Sequence, residues 1–132
     1  MARWAALAPL LLAGCAAMHE PSCAPGRQAM TSDFLYFGTA RPGGAVTPAE
    51  WSEFLAGAVT PRFPDGLTTW EAAGQWKPPG GALVREATHV LNVVHADDES
   101  SEAAIQAIVG DYKARFRQES VLRVSTKGCA SF

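Results

Sequence analysis

Two stretches of helical periodicity, each framed by runs of strand character, constrain this 132-residue chain more than any other feature. In the first, Thr47-Pro48-Ala49-Glu50 sets Thr at the N-cap, Pro at the first helical position and Glu third in the helix, so that side chains satisfy amides the first turn leaves free. Trp51, Phe54, Leu55 and Ala58 then recur at helical spacing, which predicts a short helix with one apolar face that Pro61 ends. In the second, Asp97 to Ser101 offers several caps, and Ile105, Ile108, Val109, Tyr112 and Phe116 mark one face of a longer helix. Between and around them lie the strand-like runs Asp33 to Thr39, Leu67 to Trp76, Leu83 to His95 and Ser120 to Thr126. Phe63-Pro64-Asp65-Gly66 reads as a turn, because Pro fixes φ, Asp bonds nearby backbone and Gly accepts positive φ. The stiff Lys77-Pro78-Pro79-Gly80-Gly81 joins the second and third strands as a hairpin loop.

Strand, helix, strand, strand, helix, strand is the order of the ferredoxin-like split βαβ. The expected class is therefore α+β, a four-stranded antiparallel sheet with two helices on one face and the fourth strand beside the first. Alternation along the strands then sorts side chains between faces. Leu35, Phe37, Leu122 and Val124 are expected to face the helices. Phe34, Tyr36, Val121 and Arg123 are expected on the helix-free face. The third strand adds either Arg85 and His89 or Glu86, Thr88 and Asn92 to that face, according to register.

The N-terminus has the pattern of a targeting segment, which does not belong to the fold. Met1 to Trp4 carries one charge, Arg3, and Ala5 to Leu12 is an apolar run broken only by Pro9, far short of the about 20 residues a bilayer demands. Leu12-Ala13-Gly14-Cys15 resembles the lipobox of bacterial lipoproteins, in which the chain is cut before a cysteine whose thiol has accepted lipid. The expected organisation is a signal peptide over 1–14, a tether over 15–32 and a single domain over 33–132. Stable attachment takes more than one acyl chain, palmitate-like, on Cys15. Ala16 follows the cysteine, which resembles the sorting pattern for the periplasmic face of the outer membrane in a diderm cell. An ordinary secretory signal with an unmodified cysteine is the alternative.

Of the three cysteines, assigning Cys15 to lipid leaves Cys23 and Cys129. The predicted topology brings the start of the first strand near the end of the fourth, so these two can form one disulfide in an exported protein. Two independent thiols are the alternative. No cofactor or metal is expected, since His19 and Cys23 lack the spaced partners a zinc site takes. Of 11 Lys and Arg, one lies in the leader, and the rest face 13 Asp and Glu without a basic cluster, which argues against nucleic acid as partner.

Several segments together resemble the bacterial domain-of-unknown-function family 3574, whose members are small exported proteins and lipoproteins. They are Leu35-Tyr36-Phe37-Gly38, the run from Val59 to Thr68, Gly74 with Trp76, Arg85-Glu86, and the run from Phe116 to Val121. The resemblance spans about Phe34 to Phe132 and implies no activity, cofactor or catalytic set.

Candidate ligand-binding residues are Tyr36, Arg62, Arg85, Glu86, Glu119 and Arg123. In one arrangement an arginine among them holds an anionic group while Glu86, Glu119 or His89 handles a proton. In the other, Arg85, Glu86, Glu119 and Arg123 form cross-strand pairs that set register. Trp51 and Trp76 read as core. Two functions stay open: a non-catalytic envelope module that binds a small ligand or a partner, including a homodimer through the open sheet face or an edge strand, which is preferred, and a small enzyme of the dimeric α+β barrel kind, an isomerase, lyase or cofactor-free oxygenase that uses an Arg with a carboxylate or His on the open sheet face. A pocket with convergent Tyr36, Arg85 and Glu86 favours the enzyme. A flat apolar face favours association.

Overall fold

The computed structural model describes residues 22–132, so the leader and Cys15 lie outside it. The chain forms β1 (Gln28–Gly38), the two-residue strands β2 (Ala40–Arg41) and β3 (Gly44–Ala45), α1 (Pro48–Phe54), β4 (Thr68–Trp76), β5 (Val84–His95), α2 (Glu99–Phe116) and β6 (Leu122–Ala130). The four long strands pair antiparallel in the order β4-β5-β1-β6, the ferredoxin-like arrangement expected from the order of elements.

α1 begins as its sequence dictates: the Glu50 amide donates to the Thr47 hydroxyl, and the Thr47 amide donates to the Glu50 carboxylate. The last turn widens into a π-helical segment over Leu55–Val59, closed by the Thr60 amide on the Leu55 carbonyl. That turn carries Val59 into the core ahead of Pro61. α2 is capped by Asp98, which accepts from the Ser101 amide at 2.7 Å, and ends on Arg117 in the left-handed region at φ 54°. Trp51 and Phe54 from α1, and Ile105, Ile108, Tyr112 and Phe116 from α2, close over Leu35, Phe37, Leu91 and Val93 of the sheet.

Cys23 and Cys129 are joined, with Cα atoms 5.7 Å apart and 106 residues between them in sequence. Among the described residues no helix is long and apolar enough to cross a membrane.

The structure departs from two sequence expectations and adds one element. β1 starts at Gln28, so residues 28–32, expected in the tether, are strand paired to Thr126–Ala130. The β2–β3 hairpin, made by Gly43 and Gly44 at positive φ, is an element that no apolar period announced. The faces of β6 are the reverse of those expected. Tyr36 pairs with Leu122 and Phe34 with Val124, which puts Leu122 and Val124 on the helix-free face, 61% and 45% exposed, while Arg123 lies opposite Leu35 on the helix side. The physical reason is Asp33. It has the parity of Leu35 and is fully buried, so a cation must join it on that side, and in a strand one placement sets all the others.

Candidate functional site

The register leaves an uneven distribution of charge across the sheet. Asp33, Glu71, Arg85, Arg123 and Lys127 all share the helix-side parity of Leu35, and among charged residues of the four long strands only Glu86 shares the parity of Tyr36. Of the two registers open in the sequence for β5, the structure takes the one that brings Glu86, Thr88 and Asn92 to the open face. Arg85 and His89 lie on the other side.

Glu86 stands at the centre of a pocket of about 260 Å³ at one end of this face. Tyr36, Gly38 and Ala40 line it from β1 and β2, Gly74, Gln75 and Trp76 from β4, Thr88 from β5, and Gln118, Glu119, Ser120 and Leu122 from the segment that enters β6. Two glycines make the room. A Cβ on Gly38 would lie 2.7 Å from Oε1 of Glu86, and one on Gly74 would lie 2.1 Å from the Thr88 hydroxyl. The Glu86 carboxylate accepts the Ala40 amide. Gln118 donates to the Ala40 carbonyl at 2.8 Å, and the buried Tyr112 hydroxyl donates to the Gly38 carbonyl at 2.9 Å, which fixes the floor from behind. Burial pushes the Tyr112 phenol well above its usual range, so it remains a donor at any physiological pH.

This pocket holds two carboxylates and two aromatic rings, with no Lys, Arg or His in its lining. It brings together Tyr36, Glu86 and Glu119 of the expected set and excludes the three arginines. Arg62 donates to the Ala58 carbonyl at 2.7 Å and pairs with Asp111 at 2.9 Å. Arg85 reaches across the opposite face to Gln75 at 3.2 Å. Arg123 is held in a partly buried cluster on the helix side of the sheet. An anion cleft built on these arginines is therefore not formed, because each guanidinium is directed elsewhere by register or by a nearer acceptor.

Arg123 bonds both oxygens of Asp33, at 2.9 and 2.8 Å, and both oxygens of Glu102 on α2, at 2.8 and 2.7 Å. Nε2 of His95 meets the same Asp33 carboxylate at 2.8 Å, its Nδ1 faces the Ala96 carbonyl at 2.8 Å, and the Ser125 hydroxyl donates to Asp33. Burial pushes the Asp33 carboxyl up, yet the hydrogen bonds from Arg123, Ser125 and His95 outweigh it and hold it below the usual carboxylate range. The Arg123 fork draws Glu102 down to about 2. Ser, His and Asp thus meet without forming a nucleophilic triad: the serine proton points at the aspartate, and neither ring nitrogen is free to accept it. The cluster joins β1, β5, β6 and α2 and is structural.

His89 lies flat on Trp51, ring centroids 4.4 Å apart, and burial lowers its proton affinity. It is core, as Trp51 is. Trp76, expected in the core, is instead 40% exposed and walls the pocket. The pocket residues that sequence reasoning missed, Trp76, Gly74 and Thr88, had one legible signal. Trp70, Ala72, Gly74 and Trp76 alternate at period two, apolar or small throughout, as one face of a strand requires. A wider trough at the other end of the sheet is lined by the Arg62–Thr68 segment with Asn92, Val94 and Phe132, and its one arginine is already paired.

The family described as "Protein of unknown function (DUF3574)" matches residues 32–132. No curated protein matches the sequence. Among solved structures the fold is similar to that of a phage SAM lyase in complex with S-methyl-5'-thioadenosine, with TM-score 0.60 and 15% identity over 85% of this chain and 95% of that one. The apo state of the phage SAM lyase is similar with TM-score 0.59 and 15% identity, covering 86% and 95%.

Proposed function

The chain belongs to the family of unknown function DUF3574, and from that premise we propose that it is a lipid-anchored envelope protein that holds a small organic cation in the pocket over Glu86. The observation that carries this reading is the pairing of an ion-pair-free carboxylate with aromatic walls. Among the described residues Glu86 makes no salt bridge, Glu119 adds a second negative charge, and Trp76 and Tyr36 line the pocket with aromatic side chains. A cation over such a ring gains about 0.5–2 kcal/mol, and a carboxylate in a partly dry site adds more. A lining with no basic side chain repels anions by the same argument. The pocket is slightly below the about 300 Å³ at which drug-sized sites begin, so it suits a charged head group.

The anchor rests on Leu12-Ala13-Gly14-Cys15. Its test is metabolic labelling with a fatty-acid probe: the wild-type chain takes the label and Cys15→Ser does not. Labelling of Cys15→Ser would remove the anchor.

Fold likeness to the phage SAM lyase suggests the probes. SAM is a sulfonium cation, and S-methyl-5'-thioadenosine is the neutral thioether that remains when its aminobutyryl arm is lost. Calorimetric titration is expected to show SAM bound at least about tenfold more tightly than the thioether, and Glu86→Gln is expected to abolish that preference. Equal affinity for the two, or a preference that survives Glu86→Gln, would contradict the reading. A second reading is a small enzyme at the same site, with Glu86 accepting a proton from the ligand. It is favoured by the likeness of the fold to that of a lyase. Loss of SAM on prolonged incubation with wild type, absent with Glu86→Gln, selects it over a binding module.

A further inference from the structure

We infer that the helix-free face of the sheet is covered by a second copy of this chain. The face carries Phe34 and Tyr36 of β1, Trp70 and Trp76 of β4, and Leu122 and Val124 of β6, with Glu86 its one charged strand residue. Trp70, Trp76, Leu122 and Val124 are each at least 40% exposed. An antiparallel sheet that faces water alternates apolar and polar. This one instead sends the charges of its edge strands to the helix side and leaves its outer side mostly apolar, with neutral hydroxyl and amide groups between the rings.

The dimensions select a protein partner. Four strands about 4.8 Å apart, paired over about nine residues of about 3.4 Å each, present on the order of 600 Å² in projection. That is the footprint of a partner burying about 800 Å² of accessible surface on each side, the usual size of a specific interface. Exposed tryptophans beside small residues, here Trp70 and Trp76 around Ala72 and Gly74, provide anchors and hollows on one surface, as a self-complementary contact requires.

Charge selects a second copy. Glu86 sits near one end of β5, so a twofold axis through the middle of the face carries the two Glu86 side chains to opposite ends, and no like charges meet. A lipid surface is disfavoured, since the face holds no Lys or Arg for anionic headgroups and keeps Ser32, Thr88, Asn92 and Thr126 among its apolar residues. The pocket over Glu86 opens on the same face, so the partner copy would wall its outer side. The association itself stands whether or not that pocket takes a cation.

Native mass spectrometry of the full chain, released from a mild detergent with no ligand added, tests this. Wild type is expected as a dimer. Val124→Lys and Trp70→Lys are each expected to weaken it at least about tenfold, toward monomer, with unchanged far-UV circular dichroism, and Ala114→Lys on exposed α2 is expected to leave it intact. A monomeric wild type would overturn the inference. So would a dimer that survives both face substitutions, or a monomer whose flotation with phosphatidylcholine vesicles persists in Cys15→Ser and is lost when Val124→Lys is added.

Discussion

At the scale of single residues, a fully buried carboxylate survives only with partners, and Asp33 has four hydrogen bonds from Arg123, His95 and Ser125. Asp33→Asn leaves Arg123 and His95 facing a neutral amide and is expected to cost about 3–5 kcal/mol in urea unfolding. A loss under about 1 kcal/mol would show that the cluster contributes nothing specific. The native Asp33 carboxyl titrates below its unfolded value of about 3.9, so its contribution is present above that pH and is lost as pH falls through the lower native value. Unfolding midpoints are therefore expected to drop on the acid side, and Asp33→Asn is expected to flatten that limb. Gly38 acts at the same scale but on the site. Its Cβ would meet the end of the flexible Glu86 side chain, so Gly38→Ala should displace the carboxylate and weaken cation binding while changing stability by no more than about 1 kcal/mol.

At the scale of elements, α2 ends on the only non-glycine residue at positive φ among those described, Arg117. A side chain there costs roughly 1–2 kcal/mol that glycine avoids, partly offset by the greater freedom of glycine in the unfolded chain. Arg117→Gly is accordingly expected to stabilise by about 0.5–1 kcal/mol, read as a higher thermal midpoint, and a lower midpoint would contradict it. The elements themselves were legible because Thr47 to Ala58 and Ile105 to Phe116 carry helical period and explicit caps, and the strand runs between them admit few topologies. Facing was legible only where the one apolar side of a strand is the side turned to the helices. β1 is apolar on both sides, Phe34 and Tyr36 against Leu35 and Phe37, and in β6 the apolar side, Leu122 and Val124, is turned away from the helices while Arg123 and Ser125 are turned towards them. There the assignment depended on one long-range pair, Asp33 with Arg123, separated by 90 residues. Trp76 departs from the core reading for a related reason: burial is the common outcome for a tryptophan, whereas the helix-free side of this sheet leaves it 40% exposed. In the pocket, Tyr36, Glu86 and Glu119 were visible as residue types, whereas the space cut by Gly38 and Gly74 depends on contacts with β5 that no spacing reveals.

At the scale of the whole molecule, the disulfide ties the entry of β1 to the exit of β6 across 106 residues. A loop of that length corresponds to about 4–5 kcal/mol in the chain-entropy model. Unfolding in the presence of reductant, or of Cys129→Ser, is expected to lose several kcal/mol, and an unchanged midpoint would mean that the bridge is absent from the purified protein. The bridge begins eight residues after the proposed lipid-bearing Cys15, so it would hold the domain close to the membrane and orient a sheet face whose outer side is apolar and whose pocket is acidic. Recognition of positive charge in this pocket can be read residue by residue in heteronuclear NMR of the protein titrated with SAM. Shifts are expected to be confined to the Trp76 indole, the Tyr36 and Ala40 amides and the Gln118–Ser120 segment, and to be absent in Glu86→Gln. Shifts centred on the Arg62–Thr68 trough, or the same pocket shifts in Glu86→Gln, would contradict it.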